Sequence, residues 1–478
     1  MKNIINKIFN SSMGYLPFKI IEGIMGILSL SLYTHLLSVN NYGNYGTANS
    51  TMMLTYLLSI GWFVFVAIRY IKEQKSVEEK QVFFSNILAL QGIIMITLFI
   101  VYAVISMIMI SAFNYDSKLL LVYLLFFIGY TSSQFYVHLL LYVNERLLNV
   151  QLVVIAAFFK PVLVGTLFLL KVPTEYIIFI GHGLVDLTVG LIAIVKIKPY
   201  KYFRISKINK SKFKEFFVYG FPLIGLTLTM YVLNVSDRYL IRGIYSDVEV
   251  GYYTPNYSLA SAAFLMISYG LSRGFYPKLL GAFKDNDYVK TGDILAGAIK
   301  NYIFLALPAA TGMFLLSQDI CRIFLDAKYI VGHQVIGLVA IGMFFLGLAE
   351  YANKGWELSG NTKPIFYNSL KAAIVNIILN VIFIPIFGFV AAAGTTAISF
   401  LIYSIICFLN REKAVKYQLE SKKIVSIFIG NIVMILCVLL SAFIPLSGIL
   451  LLVIRVAIGI VSYICVILLL KVYNIKEF

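Results

Sequence analysis

Long stretches without a single charged residue leave few folds open to this chain. They run over Gly23–Ile68, Gln81–Tyr115, Leu119–Asn144 and Phe216–Ser236, each at or beyond the roughly 20 residues a helix needs to cross a bilayer core. Further runs cover Gly251–Ser272, Asn301–Gln318, Tyr329–Ala349, Ala372–Asn410 and Ile424–Ile454, several of them long enough for two spans. Hydrophobic residues make up 60% of the 478 and charged residues only 13%, against roughly a quarter in water-soluble domains. Within lipid every backbone N–H and C=O must be satisfied internally, and the alternating period of a membrane β-strand is absent, so the expected class is all-α.

Cutting the runs at polar and glycine clusters, such as Asn40-Asn41-Tyr42-Gly43, predicts about fourteen transmembrane helices. The first six lie near 12–37, 46–69, 82–112, 118–142, 149–170 and 176–196. The remainder lie near 213–241, 250–274, 293–316, 329–350, 364–386, 389–410, 424–444 and 448–470. Loops retained in the cytoplasm are enriched in Lys and Arg. Lys72, Lys75 and Lys80 follow helix 2, and Lys196, Lys198, Lys201, Arg204, Lys207, Lys210, Lys212 and Lys214 surround the helix 6 to 7 connection. Arg273, Lys278, Lys284 and Lys290 follow helix 8, while Arg411, Lys413, Lys416, Lys422 and Lys423 follow helix 12. The opposite loops hold few charges, so both termini are expected in the cytoplasm. The net charge of +17 is therefore a property of topology, with no basic domain to grip nucleic acid. The start of the chain leads into a span too long for a signal-peptide core, and helix 1 is read as retained. Cys321, Cys407, Cys437 and Cys465 lack paired spacing and suggest neither a disulfide framework nor a metal site. No G-x-x-x-x-G-K-[ST] loop occurs, which argues against an ATP-driven pump.

Membrane carriers are often built from two repeats. Gly43, Tyr45 and Ser50 recur as Gly251, Tyr253 and Ser258 at one constant offset of 208. The expected organisation is an N-terminal lobe over 1–200, a basic linker over 201–212, a second lobe over 213–412 and two appended helices over 413–478.

Three local patterns resemble the Wzx-type polysaccharide flippases of the multidrug/oligosaccharidyl-lipid/polysaccharide exporter superfamily. They are LYTHLLSVNNYGNYGTANS at Leu32–Ser50, SDRYLIRGIYSDVEVGYYTPNYSLA at Ser236–Ala260, and the stretch Gly360–Ser399 with Asn376, Asn380, Pro385 and Gly388. Such a resemblance implies a flippase, not an enzyme. Its expected work is to turn a polyprenyl-pyrophosphate-linked oligosaccharide from the cytoplasmic to the outer leaflet of a bacterial plasma membrane, for O-antigen or capsule assembly. Expected partners are the lipid-linked oligosaccharide, membrane lipids, a coupling ion (H+ or Na+) and glycan-assembly proteins. No cofactor and no metal are expected. The rivals are a membrane glycan polymerase or ligase, and a small-molecule cation antiporter of the same superfamily.

Such a cargo demands a cationic cavity, and a charge within a span is a functional candidate by default. Lys19 and Glu22 share one face of helix 1. Lys160 precedes Pro161, roughly 16 Å from the cytoplasmic end at helical rise, and Asp186 of helix 6 reaches comparable depth, so the two are candidates for a pair. Asp237 and Arg238 are expected to end helix 7, either as cavity residues or simply paired with each other at the outer surface. Lys300, Lys371 and Glu350 lie toward cytoplasmic helix ends and Arg455 lies in helix 14; the alternative for all four is that they merely snorkel to headgroups. The candidate cavity residues are thus Lys19, Glu22, Lys160, Asp186, Asp237, Arg238, Lys300 and Lys371. His35, His138, His182 and His333 are dispersed and receive no role.

Overall fold

A computed structural model of the chain describes residues 16–71, 74, 76–113, 116–143 and 145–472. Lys72, Lys75 and the first residues of expected helix 1 lie outside the described residues, as do the side chains of Lys19 and Arg273. Where the sequence placed apolar segments the chain is helical, and no strand occurs among the described residues.

The first half contains α1 (Leu16–Leu36), α2 (Val39–Tyr56), α3 (Trp62–Tyr70), α4 (Val77–Phe113), α5 (Ser117–Ser132), α6 (Arg146–Leu169), α7 (Thr174–Ile197), α8 (Lys210–Gly220) and α9 (Ile224–Ile244). The second contains α10 (Asp247–Lys284), α11 (Tyr288–Leu315), α12 (Ser317–Phe324), α13 (His333–Ala352), α14 (Lys363–Phe387), α15 (Phe389–Leu409), α16 (Ser421–Leu440) and α17 (Gly448–Leu469). Eleven described helices are long and apolar enough to cross a bilayer, and a twelfth follows if the bent pair α8–α9 counts as one span. The α1 helix is shorter, and α10 carries too many polar residues to meet that criterion.

One boundary differs from the expectation in an instructive way. The Asn40–Gly43 cluster, expected to be a turn, lies inside α2, because Ser38 caps the helix two residues earlier by accepting a hydrogen bond from the Asn41 N–H at 3.2 Å. The offset of 208 carries Ser38 onto Ser246, which caps α10 in the same manner by accepting from the Val248 N–H at 3.1 Å. Two spans are also interrupted by single π-turns, Leu57–Gly61 between α2 and α3 and Ser133–Val137 after α5. Such turns insert one extra residue into the hydrogen-bond ladder.

Two compact units divide the chain, residues 1–231 and 232–478, with the division inside α9. In the first unit, α5 and α7 approach at backbone distance: a Cβ on Gly129 would stand 2.3 Å from the Gly183 carbonyl oxygen. Small residues permit such contact between helices in lipid. An aromatic core of Trp62, Phe63, Phe83, Phe84, Phe135 and Phe216 fills the other end. There the basic linker docks on α4. The side chain of Asn86 donates to the Lys207 carbonyl at 3.0 Å and accepts from the Asn209 N–H at 2.8 Å, while Ser85 accepts from the Arg204 N–H at 2.8 Å. Lys207 pairs with Glu78 in the first turn of α4. The two basic connections expected on one side of the membrane thus meet at one end of this unit.

In the second unit, Tyr302 on α11 donates to the Met343 and Phe344 carbonyls of α13 at 3.2 and 3.1 Å. Helices α16 and α17 pack on α11 through Thr311 to Asn431 at 2.8 Å and Tyr463 to the Phe304 carbonyl at 2.8 Å.

Candidate functional site

Each unit holds a polar cluster built around a buried carboxylate, Asp186 in the first and Asp237 in the second. In the first, α6 supplies Lys160 and α7 supplies Asp186, and their charged groups meet at 2.9 Å. Pro161 lacks an N–H, so one carbonyl of the turn before it has no ladder partner. The Asp186 side chain is 3% exposed, whereas that of Lys160 is 26% exposed. The carboxylate therefore lies beneath an ammonium with an open side. One turn before Asp186, on the same face of α7, His182 shares a 2.8 Å hydrogen bond with the Tyr33 hydroxyl of α1. The Tyr45 and Phe126 rings stand edge-on to His182 at 5.9 and 6.1 Å.

The second cluster surrounds Asp237 on α9, which is fully buried. Its Oδ1 accepts from Asn380 Nδ2 at 2.7 Å, and its Oδ2 accepts from the Tyr253 hydroxyl at 2.5 Å and Thr396 Oγ1 at 2.8 Å. Asn376 continues the network, donating to Thr396 Oγ1 at 3.2 Å and accepting from Ser236 Oγ at 3.1 Å. The donors come from α10, α14 and α15 and satisfy a carboxylate that would otherwise be expensive to bury.

The expected outer-surface pair of Asp237 with Arg238 does not form among the described residues. Successive helical residues point some 100° apart. Asp237 therefore turns into the packing against α14 and α15, while the Arg238 guanidinium lies 5.1 Å from the Tyr257 ring centroid. Nor does Arg455 snorkel: it pairs with Asp319 of α12 at 2.5 Å, because the short α12 brings a carboxylate within reach of α17. Elsewhere, Glu22 is half-buried on α1, Lys300 half-buried on α11 and Lys371 exposed on α14. The structure thus joins Lys160 to Asp186.

Sequence reasoning gave no role to His182, Tyr33, Tyr253 or Thr396. For His182 a signal was present, since His182 and Asp186 are four apart and share a helix face. Asn376 and Asn380 are spaced in the same way.

An apolar groove of about 510 Å³ opens on the second unit, between α11, α16 and α17. Leu305, Pro308, Met434 and Ile460 line it, with Arg455 as its one charged wall residue.

The family model described as "Polysaccharide biosynthesis protein" matches residues 12–280, more than half of the chain. The chain belongs to this family. Among curated relatives of this family member, the probable low-salt glycan biosynthesis flippase Agl15 of Haloferax volcanii is 20% identical over 218 residues, 45% of this chain and 46% of that protein. The probable lipid II flippase MurJ of Thermotoga maritima is 25% identical over 257 residues, 52% of each. The chain spans about half the length of the curated relatives it matches. Among solved structures, a lipid II flippase MurJ in an inward closed conformation superposes with a TM-score of 0.76 at 19% identity, covering 96% of this chain and 99% of that one. An inward-facing multidrug resistance MATE family transporter of the MOP superfamily follows at 0.59 and 11% identity, covering 82% and 93%. The fold of this family member is the MurJ-like fold.

Proposed function

We propose that this protein is a flippase for a polyprenyl-pyrophosphate-linked oligosaccharide. It carries the cargo from the cytoplasmic to the outer leaflet of a bacterial plasma membrane by alternating access, with both termini in the cytoplasm. The observation that carries the reading is Lys160, a cation at mid-helix depth with an open side, in a family member whose fold matches a lipid II flippase. Retaining a lysine at the centre of a span costs at least roughly 2.5 kcal/mol, and an anionic cargo supplies the reason for it. The apolar groove beside α16 and α17 suits a polyprenyl tail in both chemistry and size.

The Asp237 cluster suits the coupling ion. The Asp237 carboxylate and the Thr396 hydroxyl offer the hard oxygens that a small cation prefers, and the Asn376 and Asn380 amides would add theirs on turning over from the hydrogen bonds they now donate. A proton on Asp237 would use the same site.

Depletion of the protein in cells tests the transport reading. Full-length lipid-linked glycan should accumulate on the inner leaflet with its synthesis intact. Accumulation of unpolymerised glycan on the outer leaflet would instead make the protein a polymerase or ligase.

A further inference from the structure

Helix α7 presents His182 and Asp186 on one face, and every helix packed against that face supplies a titratable group. Tyr33 comes from α1, Tyr45 from α2, Tyr130 from α5 and Lys160 from α6. Of the described groups facing Asp186, Lys160 is the one cation, at 2.9 Å. One ammonium neutralises one anion. A phosphate approaching the open side of Lys160 therefore competes with Asp186 for the same charge. Once displaced, the carboxylate would sit 3% exposed among phenols and an imidazole, without its counter-ion. A buried charge in that position relieves its desolvation most cheaply by taking a proton.

We infer that Asp186 is an internal counter-ion, exchanged on Lys160 for the phosphate of the cargo, and that it binds one proton from cavity water as it is displaced. This rests on the anionic-cargo reading above. The balance is simple: the carboxylate becomes a carboxylic acid, the phosphate takes its place beside the ammonium, and no covalent bond of the cargo changes. In the empty carrier the returning proton-free Asp186 neutralises Lys160 again, so neither the loaded nor the empty state carries a bare ammonium within the bilayer. Linkage then requires that cargo and proton favour each other's binding by the same factor.

The test uses the purified full chain in lipid nanodiscs and a sugar-free polyprenyl pyrophosphate as probe. Titrations between pH 6 and 8, in two buffers of different ionisation enthalpy, read affinity and proton uptake together. For the wild type, affinity should rise by up to about tenfold per pH unit lowered beyond any rise seen in Asp186→Asn, a comparison that cancels titration of the probe itself. Proton uptake should likewise exceed that of Asp186→Asn by one. Asp186→Asn should bind more tightly than wild type at pH 8, because its competitor is gone. If wild type and Asp186→Asn share the same slope, uptake and affinity, the exchange is overturned. Loss of the wild-type slope in His182→Gln with its retention in Asp186→Asn would also overturn it, by assigning the proton to the histidine. Lys160→Gln separates the two readings: undiminished binding there overturns the cargo site itself, whereas lost binding with no Asp186 effect overturns only the exchange. Should Asp186→Asn fail to fold, absence of proton uptake by the wild type alone contradicts the inference.

Discussion

Lys160 illustrates how far a single residue could be read in advance. Its depth followed from counting helical rise, and Asp186 followed from the same count on the next helix. That count gives depth and leaves rotation about the axis open, so it does not show that the Asp237 and Arg238 side chains diverge. Tyr253 and Thr396 were not legible because they join Asp237 only through tertiary packing of α10 and α15 onto α9. The observed pair changes what a mutation should do. Lys160→Ala strips a buried carboxylate of its cation and should lower stability by about 3 kcal/mol, the lower end of the range for breaking a buried pair because Lys160 is partly exposed. Adding Asp186→Asn should restore most of that stability, read as the thermal unfolding midpoint, while transport stays lost. A double variant that transports normally would remove Lys160 from the cargo site.

Helices were the most legible level, since uninterrupted apolar runs in a bilayer leave one backbone solution. Their ends were less so. A lone Ser38 outweighed the Asn-rich cluster after it, because a side chain that caps an N-terminus fixes the boundary more firmly than turn propensity does. The π-turns at Leu57–Gly61 and Ser133–Val137 left no pattern in composition. Helix contacts make the sharpest prediction at this scale. Gly129→Ala would force a methyl to 2.3 Å from the Gly183 carbonyl, so α5 and α7 must separate, at a cost of about 2 kcal/mol in unfolding experiments. Gly92→Ala in α4, where an added methyl meets nothing within 4 Å, should leave the midpoint unchanged or slightly raised. Equal effects at the two positions would show that α5 and α7 do not depend on this contact.

For the whole molecule, the offset of 208 that relates Gly43, Tyr45 and Ser50 to Gly251, Tyr253 and Ser258 also relates two helix-capping serines, Ser38 and Ser246. It reaches the polar clusters as well: Tyr45 flanks His182 in one unit, and Tyr253 donates to Asp237 in the other. Chain length, helix order and three local patterns were enough to indicate the family, because those features are set by the bilayer and by close helix packing. Cargo leaves no comparable mark, since one cation and an apolar groove can receive any lipid-linked anion of suitable size. Transport therefore has to be observed directly. The decisive measurement reconstitutes the protein in sealed vesicles containing a fluorescent polyprenyl-pyrophosphate oligosaccharide and exposes them to a membrane-impermeant reagent that destroys the label. With wild-type protein the label on the inner leaflet should become accessible, and with the Lys160→Ala/Asp186→Asn variant it should stay protected. Protection equal to that of protein-free vesicles, with folded wild-type protein present, would contradict the assignment as a flippase.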